Sequence, residues 1–165
     1  MRKIVYTLNL TLLLALLAYA KPHTNIIYIL ADDLGYGDLS ILGQSHFETP
    51  HIDKLARKGM IFTDHYSGST VCAPSRASLL SGLHTGHAPV RGNLEWQPEG
   101  QYPMPEDTFI IPQILKRAGY TSGIFGKWGL GAPGTSSEPL SMGFDRFYGY
   151  NCQRIAHHYY PYFLW

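Results

Sequence analysis

The chain has 165 residues, with 13 Lys and Arg against 12 Asp and Glu and no basic run. That balance excludes nucleic-acid binding as the organising function, so twelve tyrosines and three tryptophans read as core, or as the lining of a carbohydrate or aryl site. Two cysteines, Cys72 and Cys152, are too few for the disulfide framework of a small secreted scaffold.

Residues 1–20, MRKIVYTLNLTLLLALLAYA, place Arg2 and Lys3 before a leucine-rich stretch that ends in Ala18-Tyr19-Ala20. This is the basic, apolar, small-x-small order of a signal peptide, and the apolar part is shorter than the roughly 20 residues a bilayer span requires. The expectation is export, to the periplasm or the extracellular space, with cleavage after Ala20 and no stable membrane insertion. Cleavage would remove two positive charges, leaving 11 Lys and Arg against 12 Asp and Glu. Residues 21–165 then amount to one domain at most. Their apolar aromatic ending, AHHYYPYFLW, reads as an interrupted domain.

Residues 24–33, TNIIYILADD, are a continuous apolar run that predicts a strand covered on both faces. Asp32 and Asp33 would lie at its carboxyl end, where open α/β sheets bind ligands. A Gly-rich loop follows. In TPHIDKLARKG, Thr49 is a candidate cap, Pro50 suits the first helical position and Gly59 ends the helix. Ile52, Leu55 and Ala56 form its apolar stripe. MIFTDHYS predicts a second strand, and SRASLLSG a short helix closed by Gly82. Residues 83–107, rich in Pro and Gly, predict a long surface excursion. Thr108 is then expected to cap FIIPQILKRAG, with Pro112 near its first turn, and residues 120–129 supply another strand. Helices alternating with buried-type strands indicate an α/β fold.

Three groups carry candidate chemistry. Asp32 and Asp33 repel each other unless a cation is near, and their oxygens suit Ca²⁺ or Mg²⁺; a helix cap or solvated turn is the plainer alternative. Cys72 precedes a helix whose free N–H groups favour an anion, and Arg76 offers a rigid fork for an oxyanion. The residues alone leave Cys72 open between a buried thiol and a reactive one. Lys127 lies in FGKWGLG just past a strand, either as a point charge for sulfate or phosphate or as a surface lysine beside a core Trp128. The histidines, including the adjacent pair His157 and His158, form no HExxH or HxH grouping, so zinc is not expected.

In combination these segments resemble the amino-terminal part of a type I sulfatase of the arylsulfatase kind. CAPSR followed by ASLLSG is similar to the family's Cys-x-Pro-Ser-Arg signature, NIIYILADDLGYGD to its first strand and metal-binding aspartates, and GKWGLG to its second signature. TPHIDKLARKGMIFTDHYS, HTGHAPVRGN and MGFDRFYGYNCQRIAHHYYPYFLW resemble family segments in the expected order, so the likeness covers residues 24–165.

The resemblance implies an alkaline-phosphatase-like α/β fold, a mostly parallel mixed sheet flanked by helices, incomplete in this chain. Residues 21–165 would be the amino-terminal portion of the catalytic domain. It implies that Cys72 is oxidised to formylglycine (3-oxoalanine) by a formylglycine-generating enzyme or an anaerobic sulfatase-maturing enzyme. One oxygen of the hydrated aldehyde attacks the sulfur of a sulfate ester and expels the alcohol; loss of a proton from the other then releases sulfate. Asp32 and Asp33 would ligate Ca²⁺ (or Mg²⁺) with an oxygen of residue 72, Arg76 would orient the hydrate, and Lys127 would bind a sulfate or leaving-group oxygen. A converted Cys72 leaves Cys152 unpaired. The substrate would be a sulfate ester, such as one carried on a carbohydrate.

Two departures stand out. Gly129 occupies the place where the family's second signature has a histidine. The family's later half, with further metal ligands, a histidine near the leaving group and another lysine, is absent from these residues, so the fragment alone is expected to be inactive. The alternatives are a related phosphohydrolase and a catalytically incompetent sulfatase-like binder of an anion or sulfated glycan.

Overall fold

The computed structural model describes residues 24–165, and the expected signal segment at 1–20 lies outside the described residues. Residues 24–30 belong to one compact unit of the chain, and residues 31–165 form the other. In the first, the expected covered strand is not formed: the stretch belongs to no ladder, and Ile26, Ile27, Tyr28 and Ile29 are exposed. Apolar content marks chain that suits a covered sheet, but a strand exists only where a neighbour supplies ladder hydrogen bonds.

The second unit begins with two 3₁₀ turns, Tyr36–Asp38 and Ser40–Leu42, followed by α1, Pro50–Lys58. Pro50 opens the helix and Arg57 and Lys58 occupy its last turn, as the sequence predicts. Thr49 acts differently from a simple cap. Its hydroxyl donates to Asp53 Oδ1 at 2.7 Å, while the Ser40 hydroxyl donates to Asp53 Oδ2 at 2.8 Å. Asp53 is 7% exposed and ties α1 to the preceding turn, whereas Ile52 and Leu55 on the expected core-facing stripe are exposed. Residues 60–67, expected as a strand, form none, and Met60, Ile61 and Phe62 are exposed.

Helix α2 spans Cys72–Ser81, starting three residues before the expected SRASLLSG segment. Gly82 closes it in the left-handed region (φ 69°), donating its N–H to Ser78 O at 2.8 Å. Ala73, Pro74 and Ala77 bury one side. The 83–107 segment is only partly a surface excursion, because Val90 and Met104 enter the core. It is pinned by Gln101 N–H to Gly131 O (2.9 Å) and Met104 N–H to Leu130 O (3.2 Å). Helix α3, Ile111–Arg117, starts three residues after Thr108. The expected Thr108 cap is replaced by Gln113, whose Oε1 accepts the Ile110 N–H at 2.8 Å.

Strands β1, Gly123–Lys127, and β2, Arg146–Tyr150, pair in parallel, with Gly123 opposite Arg146 and Lys127 opposite Tyr150. The ladder continues through Trp128 N–H to Tyr150 O and Gly129 N–H to Asn151 O. Helix α4, Gln153–Ala156, follows directly. The expected mixed sheet is therefore present among the described residues only as this two-stranded parallel piece. Ala73, Ala77, Val90, Met104, Ile110, Trp128, Leu130 and Met142 form the core. Trp128 packs edge-on against Phe144 and donates its indole N–H to Ser137 O at 2.9 Å. Burying Trp128 fixes the end of β1 and thereby the base of Lys127. No described helix is long and apolar enough to cross a membrane.

Candidate active site

Cys72 is the first residue of α2, after an extended Val71 that offers no capping side chain. The cap comes from elsewhere: Asn93 Oδ1 accepts the Ala73 N–H at 2.9 Å. Sequence reasoning missed Asn93, because nothing in the aperiodic 83–107 segment marks which of its polar residues folds back on α2. Arg76 lies one turn beyond Cys72, so both side chains share a helix face.

Lys127, the last residue of β1, has a side chain only 6% exposed. Its Nζ forms an ion pair with Asp32 Oδ2 and lies 3.3 Å from Cys72 Sγ. Arg76 closes the group from the other side. Its Nη1 donates to Lys127 O at 2.5 Å, and Nη2 lies 3.7 Å from Asp32 Oδ1. The remaining Arg76 donor, Nε, is buried without a partner. Four residues expected at the site, Asp32, Cys72, Arg76 and Lys127, are thus brought together.

Burial pushes the Asp32 carboxyl up, but the hydrogen bond and charge of Lys127, then the charges of Arg76 and His157, outweigh it and hold the group below its ordinary value. Two cations, Arg76 and Lys127, thus face one carboxylate. Asp33 sits apart in the left-handed region (φ 57°), exposed, with no hydrogen bond or ion pair to the described residues. Aspartate tolerates that conformation better than most residues, and such positions cluster in tight functional turns.

A divalent metal fits these residues only in part. Asp32 and Asp33 are hard oxygen donors, but no group of three or more His, Cys, Asp or Glu is assembled among the described residues. Calcium prefers about 6–8 oxygens, and Asp32 is already engaged by Lys127 and Arg76. The described residues do not by themselves make a metal site. Cys72 and Cys152 are both free, and Cys152 is buried with its Sγ 3.6 Å from Gln101 Oε1.

His157 lies close enough to Asp32 for its charge to favour the carboxylate, and His157 and His158 line one cavity of about 320 Å³. Helix α4 ends at Ala156 and the chain turns there, which releases both residues from helical spacing.

A sulfatase family profile matches residues 24–164. N-acetylgalactosamine-6-sulfatase of Rattus norvegicus is 40% identical over 144 residues, covering 82% of this chain and 27% of that protein. Arylsulfatase A of Homo sapiens is 45% identical over 148 residues, covering 84% of this chain and 28% of that protein. The crystal structure of Ps i-CgsB in complex with k-i-k-neocarrahexaose superimposes with a TM-score of 0.67 at 34% identity, covering 73% of this chain and 26% of the other. The chain therefore spans little more than a quarter of the length of these relatives.

Proposed function

The chain belongs to the sulfatase family, and from that premise we propose that it is the amino-terminal catalytic portion of an exported sulfuric ester hydrolase. The supporting observation is the convergence of Lys127 on both Cys72 and Asp32, with Arg76 anchored behind it. On this reading a formylglycine-generating or anaerobic sulfatase-maturing enzyme converts Cys72 to formylglycine, whose hydrate supplies an oxygen nucleophile.

The chain's own residues then have separable tasks. Lys127 places its ammonium against a sulfate oxygen, where charge builds as the ester bond breaks, and its burial strengthens the interaction. Arg76 holds the Lys127 backbone and faces Asp32, keeping its free Nε for the anion or for the modified side chain. His157 and His158 line the cavity against which the alcohol portion of the ester would rest. Asp32 and Asp33 are the part of a Ca²⁺ or Mg²⁺ site that this chain would contribute, with the other ligands coming from outside residues 24–165. The metal, when bound, would screen the sulfate's negative charge.

The substrate class is a sulfated carbohydrate. One relative is named for N-acetylgalactosamine 6-sulfation and a structural relative was solved with k-i-k-neocarrahexaose. The test is sulfate release from N-acetylgalactosamine 6-sulfate by the matured full-length protein of which these residues would be the amino-terminal portion. Release that disappears in Cys72→Ala supports the reading, and release that persists in Cys72→Ala overturns it. One observation favours a second reading, a sulfated-glycan binder without turnover: Gly129 puts no side chain where the family's second signature has a histidine. Binding of the same ester by the converted protein with no sulfate release would establish it.

A further inference from the structure

All seven residues that line the 320 Å³ cavity are polar. Its volume is at the lower end of small-ligand sites, about 300–1,000 Å³, and no aliphatic, Phe, Tyr or Trp side chain lines it. Most of its polar atoms already have protein partners. Gln101 Oε1 accepts the Gln153 N–H at 3.1 Å, and Gln101 Nε2 donates to Leu94 O at 3.1 Å. Asn93 Oδ1 caps α2. Arg154 Nε and Glu95 Oε1 lie 3.7 Å apart as an ion pair.

Gln153 is different. It is 4% exposed, and its Oε1 is buried with no partner. Its side chain lies over Gly129, donating Nε2 to Gly129 O at 3.4 Å. Gly129 is in the left-handed region (φ 70°), and a Cβ there would overlap the Gln153 amide nitrogen. Absence of a side chain at 129 is therefore what seats Gln153 between the segment carrying Lys127 and the cavity that His157 also lines. A buried acceptor without a partner is destabilising, and a donor from a ligand recovers that loss.

We infer that Gln153, seated by Gly129, is the specificity-determining residue of this cavity and selects a polyhydroxylated alcohol portion by accepting a hydrogen bond from one of its hydroxyls. The terminal amide torsion is soft, so the carbonyl turns toward the cavity without leaving a rotamer well. The inference rests on the sulfate-ester reading above and names the residue that would recognise the sugar side of the ester. A site that hydrogen-bonds a hydroxyl discriminates strongly against an analogue that lacks it.

The test is calorimetric binding to the full chain with two probes, inorganic sulfate and N-acetylgalactosamine 6-sulfate. The wild-type chain is expected to bind the sugar sulfate more tightly than inorganic sulfate. Gln153→Leu is expected to weaken the sugar sulfate about tenfold and leave inorganic sulfate within about twofold. Gly129→Ala, which displaces the amide, should reproduce that pattern. If Gln153→Leu fails to fold, Gln153→Met, unbranched like glutamine, carries the same expectation. An unchanged sugar-sulfate Kd in these variants, or equal weakening of both probes, overturns the inference. So does a wild-type chain that binds the sugar sulfate no more tightly than inorganic sulfate. Failure of inorganic sulfate alone to bind counts instead against the sulfate site at Lys127.

Discussion

The ammonium of Lys127 lies 3.3 Å from the sulfur of Cys72, across a sequence separation of 55 residues. The same nitrogen is paired with Asp32, so one buried cation joins the start of a helix, the end of a strand and the turn after residue 31. Helix α2 fixes the backbone of Cys72 and the burial of Trp128 that of Lys127, and the Lys127 stem, with its side chain only 6% exposed, spans the gap between them.

Lys127→Ala is expected to lower kcat for sulfate-ester hydrolysis by the matured enzyme about 10²–10³-fold, the usual effect of removing one donor from a developing oxyanion. Lys127→Arg is not expected to restore it, because a planar fork cannot occupy the narrow space between Cys72 Sγ and Asp32. Steady-state rates for the three proteins check this.

Trp128→Phe keeps most of the core volume but leaves Ser137 O without its indole donor. The expected loss is about 1–3 kcal/mol of stability. Urea unfolding should show a lower midpoint with an unchanged slope. A midpoint equal to that of the wild type would mean that the hydrogen bond contributes nothing.

The carboxyl of Asp53 is held below its ordinary value first by the Thr49 hydroxyl, with burial opposing, and then by the Ser40 hydroxyl, the Ile41 N–H and the Arg57 charge. A depressed folded pKa stabilises above the unfolded pKa, about 3.9, and that stability is lost as pH falls through the lower folded value. Melting temperatures should therefore fall more steeply below about pH 4 in the wild type than in Asp53→Asn. Parallel curves for the two proteins would show that Asp53 is not a source of the acid sensitivity.

Local chemistry was legible where punctuation is local. Pro50 and Gly59 bounded α1, Gly82 ended α2, and the strand before Lys127 was visible in its composition. The apolar runs at 24–33 and 60–67 misled, because apolar content reports suitability for a sheet and not the presence of a pairing neighbour. The helix expected at 75–82 left Cys72 outside it, so the face that Cys72 shares with Arg76 was not legible, and no spacing rule could bring Lys127 or Asp32 to them; only the ordered family segments did so. Asn93, Gln153 and His157 escaped for a different reason. Each acts through a long-range contact from a loop or a helix end, where periodicity carries no information.

The most direct test of the central claim is mass spectrometry of the peptide 59–76 after co-expression with a formylglycine-generating enzyme, paired with sulfate release by the same preparation. The expected result, with the full-length protein as the preparation, is an aldehyde or its hydrate at residue 72 and sulfate release in proportion to the converted fraction. An intact Cys72 thiol after co-expression, or sulfate release that does not depend on conversion, would contradict it.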